Sequence, residues 1–302
     1  MSEDDPMTAR PSQSTHETYR VGEWQVSYST LGNRERVAVY EQGPPDGPPV
    51  LLFHGSPGGT VGSWTSLARG LSDTFHLIAI DYPGHGTGAR PTRGFRAEPF
   101  SFDTVLEDAV ALLDARGLTQ VTLVGYSLGG VPALTFARAH PERLNGLVLC
   151  STALQFPRLR STPILERIAG SAPTTKHASD MNTKHIPSRI IGRFHEVLRT
   201  NLRAAVQAEL AAEAFNATSW IEDIKVPTAV VISENDSVVS TASQEELAAL
   251  LPSASCARLP GHRGHLSIPF ASSATREVMR NICLHMSRKD VDGQACHGVG
   301  LL

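Results

Sequence analysis

The sequence predicts an α/β protein: a mainly parallel central sheet with helices on both faces and a helical lid inserted after the sixth strand. Three observations carry that expectation. Short unalternating apolar runs, Val50-Leu51-Leu52-Phe53, Leu77-Ile78-Ala79-Ile80 and Gly146-Leu147-Val148-Leu149, alternate with amphipathic helical patterns. Strands apolar at every position are those covered on both faces, and a strand–helix rhythm demands parallel pairing. The rhythm breaks between about Ser151 and Asp223, where helical patterns replace strands, and resumes at Thr228-Ala229-Val230-Val231-Ile232.

Taken in order, residues 1–18 read as a polar, disordered lead-in. Trp24–Tyr28 and Val37–Tyr40 flank Gly32-Asn33 and form an opening hairpin. The Pro- and Gly-rich run 43–49 is loop. The Val50–Phe53 strand empties into His54-Gly55-Ser56-Pro57-Gly58-Gly59, and a helix with Trp64, Leu67 and Leu71 follows. The strand at Leu77–Ile80 ends at Asp81-Tyr82-Pro83-Gly84-His85-Gly86, and residues 87–100 make a surface excursion. Val105, Ala109, Leu112 and Leu113 mark an amphipathic helix stopped by Gly117. The strand at Val121–Val124 then meets Gly125-Tyr126-Ser127-Leu128-Gly129 and a helix ending near His140-Pro141.

The core is thus expected over 19–151 and 223–288, the lid over 152–222 with helices around Pro163–Ile168 and Ile190–Phe215, and a flexible tail over 289–302. After the lid come Glu234-Asn235-Asp236, a helix through Leu247–Leu251, a short strand near Cys256–Leu259, Gly261-His262-Arg263-Gly264-His265, and a closing helix around Thr275–Met286. The lid region holds more Arg and Lys than Asp and Glu, which reads either as attraction of an acidic substrate or as a solvated helical face.

Composition bounds the partners. With 302 residues, 41% of them hydrophobic, the chain can bury one large core, and 27 basic against 30 acidic residues give no basic surface for nucleic acid. No run of about 18 apolar residues predicts a membrane span. The N-terminus carries no secretory pattern, which points to the cytoplasm. Cys150 and Cys256 read as small buried hydrophobes, reduced in a cytosol, alongside Cys283 and Cys296. No Cys-x-x-Cys spacing occurs, and no metal or cofactor is expected. The expected partner is a small-molecule substrate.

The chemistry concentrates at Ser127. A serine on a sharp strand-to-helix turn stands clear of the sheet, and the helix that follows aims its first amides at a reacting oxygen. A hydroxyl is a weak nucleophile at neutral pH and needs a base, which needs an orienting group. Asp236 and His265 each lie just past a strand. In a parallel sheet those carboxyl ends share one edge, so the three side chains can meet. The order Ser127, Asp236, His265 matches one of the three familiar triad orders.

The motifs HGSPGG (54–59), DYPGHG (81–86), GYSLGG (125–130), VPTAVVISEND (226–236) and GHRGH (261–265) together resemble the α/β-hydrolase superfamily, of the serine-nucleophile type, in that family's order. The resemblance implies Ser127 as nucleophile, His265 as general base and acid, and Asp236 as the residue orienting the imidazole. It also implies an oxyanion hole from the backbone N–H groups of Leu128 and Ser56, since Pro57 has none to offer, and a cis Ser56–Pro57 bond.

His262 competes with His265, and Glu234 with Asp236. Some relatives carry the acid after the strand ending here at Cys150-Ser151, where no carboxylate stands. His54 and His85 read as structural. The family's Gly-x-Gly-x-Ser is Gly84-His85-Gly86-Thr87-Gly88 here, a departure that bears on that loop alone. Ser127 argues against the dehalogenase and epoxide-hydrolase branches, which use Asp there, and Leu128 against prolyl aminopeptidases, which carry Trp. The implied activity is hydrolysis of an ester-like bond through an acyl-enzyme. C–C bond hydrolysis or cleavage, acyl transfer, and binding without turnover remain as alternatives.

Overall fold

The structure, a computed structural model, describes residues 18–32, 34–86, 100–156, 200–252 and 254–287. The expected lead-in, the excursion after residue 86, most of the expected lid (including Pro163–Ile168 and the first part of Ile190–Phe215), Cys296 and the tail lie outside the described residues.

A nine-stranded sheet runs through the middle of the molecule. Its strands are β1 (Thr18–Val21), β2 (Trp24–Leu31), β3 (Arg34–Gln42), β4 (Pro49–Phe53), β5 (His76–Ile80), β6 (Val121–Tyr126), β7 (Leu144–Cys150), β8 (Thr228–Ser233) and β9 (Ser255–Leu259). Their spatial order is β1-β2-β3-β5-β4-β6-β7-β8-β9. The first three strands pair antiparallel, β3 meets β5 antiparallel, and every pair from β5 through β9 is parallel. The edge strand β1 was not anticipated. Its residues are mostly exposed, so no apolar pattern announces it. It moves the start of the interrupted region from after the sixth strand to after the seventh.

The helices are α1 (Thr60–Ala68), α2 (Phe102–Ala115), α3 (Gly130–Ala139), α4 (Leu202–Ala214), α5 (Thr241–Leu250) and α6 (Ser273–Ser287). The unalternating strands are explained by the two cores they feed. Leu51, Phe53, Ile78 and Ile80 point to the face covered by α2, α3 and α5. Val50, Leu52, Leu77 and Ala79 point to the opposite face, against Trp64 and Leu67 of α1 and Met279, Ile282 and Cys283 of α6. Both sides of each central strand are therefore dry, as a parallel sheet requires. Sequence marks the helix starts as well: Ser101 caps α2 by accepting the Asp103 N–H at 3.1 Å, and Asn201 caps α4 through the amides of Arg203 and Ala204.

One burial expectation fails. Cys150 and Cys283 are buried, but Cys256 is exposed. It lies on β9, which pairs only with β8 at the sheet edge, so alternate residues of that strand face solvent.

The chain moves from β4 to β5 on one side and then crosses back over β4 to reach β6. The carboxyl ends of β4 and β6 flank that switch point, which is where open α/β sheets bind ligands. Among the described residues, no helix is long and apolar enough to cross a membrane.

Candidate active site

The β6 strand ends at Tyr126, a single 3-10 turn spans Ser127–Gly129, and α3 starts at Gly130. The turn is tight enough to hold Ser127 at φ +53°, the left-handed region that a residue with a Cβ rarely enters. Its neighbours must be small. A Cβ on Gly125 would lie 2.6 Å from the Gly129 carbonyl oxygen, and one on Gly129 would run into the carbonyl of Phe53. The Leu128 N–H sits in the first turn after the strand, where helical amides have no partner within the helix.

His265 follows β9 on a short 3-10 turn, Gly264–Ser267. Its Nε2 is 2.8 Å from Ser127 Oγ, and its Nδ1 is 2.8 Å from Asp236 Oδ2. Since a carboxylate only accepts, Nδ1 carries the proton and Nε2 is free to accept from the serine hydroxyl. Asp236 lies just past β8, with its side chain fully buried. Its Oδ1 accepts the N–H groups of Val238 at 2.8 Å and Val239 at 2.9 Å, and its Oδ2 also accepts Gln244 Nε2 at 3.1 Å. Gln244 is itself locked: its Nε2 donates to the Val239 carbonyl and its Oε1 accepts the Ser233 N–H. The Tyr126 hydroxyl donates to the His265 carbonyl at 2.9 Å. Ser127, Asp236 and His265 thus stand in one continuous hydrogen-bonded chain.

Their rivals stand apart. His262 is exposed. Gly264, at φ +48° with its Cβ position 2.7 Å from the Asn235 carbonyl, turns the chain so that His265 faces the cleft. Glu234 is tied through its backbone N–H to the Leu259 carbonyl. At the alternative acid position after β7, Ser151 instead exchanges a 2.7 Å hydrogen bond with Ser233.

His54 and His85 lie beneath the loops, fully buried. His54 Nε2 accepts the Tyr82 N–H at 3.1 Å, so its Nδ1 carries the proton and donates to the Gly55 carbonyl at 2.9 Å. His85 Nδ1 donates to the Pro83 carbonyl at 3.1 Å. Burial lowers the pKa of each to about 4, and for His85 the proximity of His54 adds to the shift. The unfolded chain takes up protons at the ordinary histidine value, above the folded one. Stability is therefore full above about pH 6.5 and is lost as pH falls toward 4, by about 3 kcal/mol for each ring considered alone. Urea unfolding between pH 7 and pH 4.5 is expected to show this decline, with a shallower slope in His85→Phe.

The loop after β4 closes the other wall. The Ser56–Pro57 bond is cis. A Cβ on Gly55 would lie 3.3 Å from Ser127 Cβ, which puts the Ser56 backbone beside the serine. Helix α4 crosses above. The Asn201 N–H binds the Gly84 carbonyl at 2.7 Å, and Gln207 Oε1 accepts the Phe100 N–H at 3.0 Å. On α4, Glu209 is half-buried. Ser56 Oγ is buried and meets no hydrogen-bond partner among the described residues. Burial raises the Glu209 pKa, the Ser56 hydroxyl lowers it, and Glu213 raises it further.

Glu209, Gln244 and Tyr126 are the residues that sequence reasoning missed. Glu209 and Gln244 sit in helices whose pattern gives no sign of what lies opposite, and Tyr126 was read only as part of a motif. Among the described residues, no group of three or more His, Cys, Asp or Glu is placed to hold a metal ion.

The sequence profile of the alpha/beta hydrolase fold matches residues 48–189. A putative 2-succinyl-6-hydroxy-2,4-cyclohexadiene-1-carboxylate synthase from Bacillus subtilis is 39% identical over 123 residues, 41% of this chain and 43% of that protein. The match to that relative therefore spans less than half its length. A putative carbamate hydrolase from Caulobacter segnis is 26% identical over 223 residues, 70% of this chain and 82% of its own. Among solved structures, a thermophilic esterase from Thermogutta terrifontis superposes with a TM-score of 0.68 at 22% identity, over 86% of this chain and 98% of that one. The profile match and the superposition agree with the sheet described above, and the chain has the alpha/beta hydrolase fold.

Proposed function

We propose that this protein is a serine hydrolase that cleaves an ester-like bond of a small molecule through an acyl-enzyme on Ser127. One observation carries the reading: the unbroken chain from Asp236 through His265 to Ser127, with both contacts at 2.8 Å. In this reading Ser127 Oγ adds to the substrate carbonyl while its proton passes to His265 Nε2. The backbone N–H groups of Leu128 and Ser56 stabilise the oxyanion. Collapse of the tetrahedral intermediate breaks the bond to the leaving alkoxide, which takes the proton from His265. Water, deprotonated by the same ring, then releases the acid and restores Ser127. Asp236 fixes the tautomer and balances the transient imidazolium. The residues expected in the lid (152–222) would set acyl size.

A second reading keeps the same triad for cleavage of a C–C bond, by hydrolysis or elimination, or for acyl transfer. A relative named as a synthase, 39% identical over 123 residues, supports this reading.

The test is incubation with an alkyl fluorophosphonate, followed by intact mass and peptide mapping. One equivalent on Ser127, lost in His265→Ala and kept in His262→Ala, is the expected result. Hydrolysis of 4-nitrophenyl butyrate by the same preparation then separates ester chemistry from the C–C reading. A folded protein that takes no label and turns over no ester would overturn the proposal.

A further inference from the structure

From the moment Ser127 Oγ bonds to a substrate carbon, it has no proton to share with His265. The same ring must still protonate the leaving group and later deprotonate water. Its place therefore has to be fixed by other bonds. Asp236 Oδ2 holds the imidazole at Nδ1, 2.8 Å away. The backbone end of the residue is held by Tyr126, whose hydroxyl donates to the His265 carbonyl at 2.9 Å. In the sheet, β7 separates β6 from β8, so this bond crosses from the strand of the nucleophile to the turn of the base. Tyr126 is also joined to Ser127 by a peptide bond. Ser127 Oγ, His265 Nε2, the His265 carbonyl and the Tyr126 hydroxyl thus lie on one closed loop of covalent and hydrogen bonds.

The Tyr126 ring is itself fixed. It is buried, meets Trp64 of α1 edge-on with centroids 6.1 Å apart, and lies 5.3 Å from the imidazole at a tilt of 36°. A Cβ on Gly55 would come within 2.9 Å of its Cε1, so the ring also packs against the loop after β4. Burial, and then the charge of Asp236, raises the Tyr126 pKa, so the hydroxyl keeps its proton and stays a donor.

Building on the serine-hydrolase reading, we propose that Tyr126 is a positioning residue: its hydroxyl, through the His265 carbonyl, holds the general base at the distance from Ser127 that each proton transfer needs. It acts through His265 and takes no part in the bond-making steps. A displaced base slows acylation and deacylation alike, because His265 serves both, so the loss falls on kcat.

Tyr126→Phe removes the hydroxyl and leaves the ring packed against Trp64 and Gly55. For 4-nitrophenyl butyrate it is expected to lower kcat about 20-fold with KM within about twofold, and to slow fluorophosphonate labelling of Ser127 by a similar factor. Tyr126→4-aminophenylalanine returns a donor without the hydroxyl and should recover kcat to within about fivefold of the natural protein. Tyr126→4-fluorophenylalanine fills the same space, donates nothing and should match Tyr126→Phe. A double-mutant cycle with His265→Ala separates positioning from a general loosening of the site. Where the base is missing there is nothing to position, so Tyr126→Phe should leave the residual rate of His265→Ala unchanged within about twofold.

A Tyr126→Phe protein within about twofold of the natural kcat overturns the positioning role and leaves the hydrolase reading intact. The same holds for a loss that is as large in the His265→Ala background, or for a 4-amino form no faster than the 4-fluoro form. If Tyr126→Phe does not fold, the 4-amino and 4-fluoro forms make the comparison between them. A natural protein that neither labels with the fluorophosphonate nor hydrolyses the ester overturns both readings.

Discussion

Replacing Ser127 by alanine is expected to lower kcat for ester hydrolysis about 10⁶-fold and to abolish fluorophosphonate labelling. The residue left behind would still bind substrate and offer the same backbone amides, so a small residual rate above water is expected. The effect on stability runs the other way from the usual active-site loss. Ser127 is held at φ +53° by the turn between β6 and α3. Alanine inherits that strain, whereas glycine relieves it. Ser127→Gly should therefore be as inactive as Ser127→Ala and yet more stable than the natural protein by about 1 kcal/mol, net of the larger entropy of an unfolded glycine. Denaturant unfolding of the three proteins checks this. Equal midpoints for the serine and glycine forms would mean that the strain relieved only offsets the larger entropy of the unfolded glycine chain.

The same turn shows why some of the site was legible in sequence and some was not. Gly125 and Gly129 are read from sequence because each meets backbone that its own motif predicts: the turn after β6 and the end of β4. His265 and Asp236 are legible for a topological reason, since a parallel sheet gathers the residues after β6, β8 and β9 along one edge. The choice of His265 over His262 rests on Gly264, whose positive φ has no local signature distinguishing it from Gly261. Glu209 could not be found this way. It lies on α4, and α4 reaches this part of the molecule only by docking on the loops after β5. Strand β1 escaped notice because an exposed edge strand has no apolar face to display, and Cys256 was misread because a short strand looks the same in sequence at the edge of a sheet as at its centre.

Asp236→Asn is expected to lower kcat about 10⁴-fold, and the bonds around the carboxylate say why. Oδ1 accepts two backbone N–H groups, from Val238 and Val239. An amide placed here must keep its oxygen at that position, so its NH₂ falls where Oδ2 now stands. That NH₂ faces His265 Nδ1 and forces it to accept, which moves the ring proton to Nε2 and turns the ring into a donor toward Ser127. A serine hydroxyl cannot be deprotonated by a group that already holds its proton. The NH₂ would also meet the amide nitrogen of Gln244, which cannot flip to accommodate it because Gln244 Oε1 is committed to the Ser233 N–H. Two donors then face each other in a buried site, which should cost about 1–3 kcal/mol of stability in addition to the activity. Burst kinetics and urea unfolding measure the two losses separately. An Asp236→Asn protein within tenfold of natural activity would mean that the imidazole is oriented by another group, and Glu234 would be the next residue to replace.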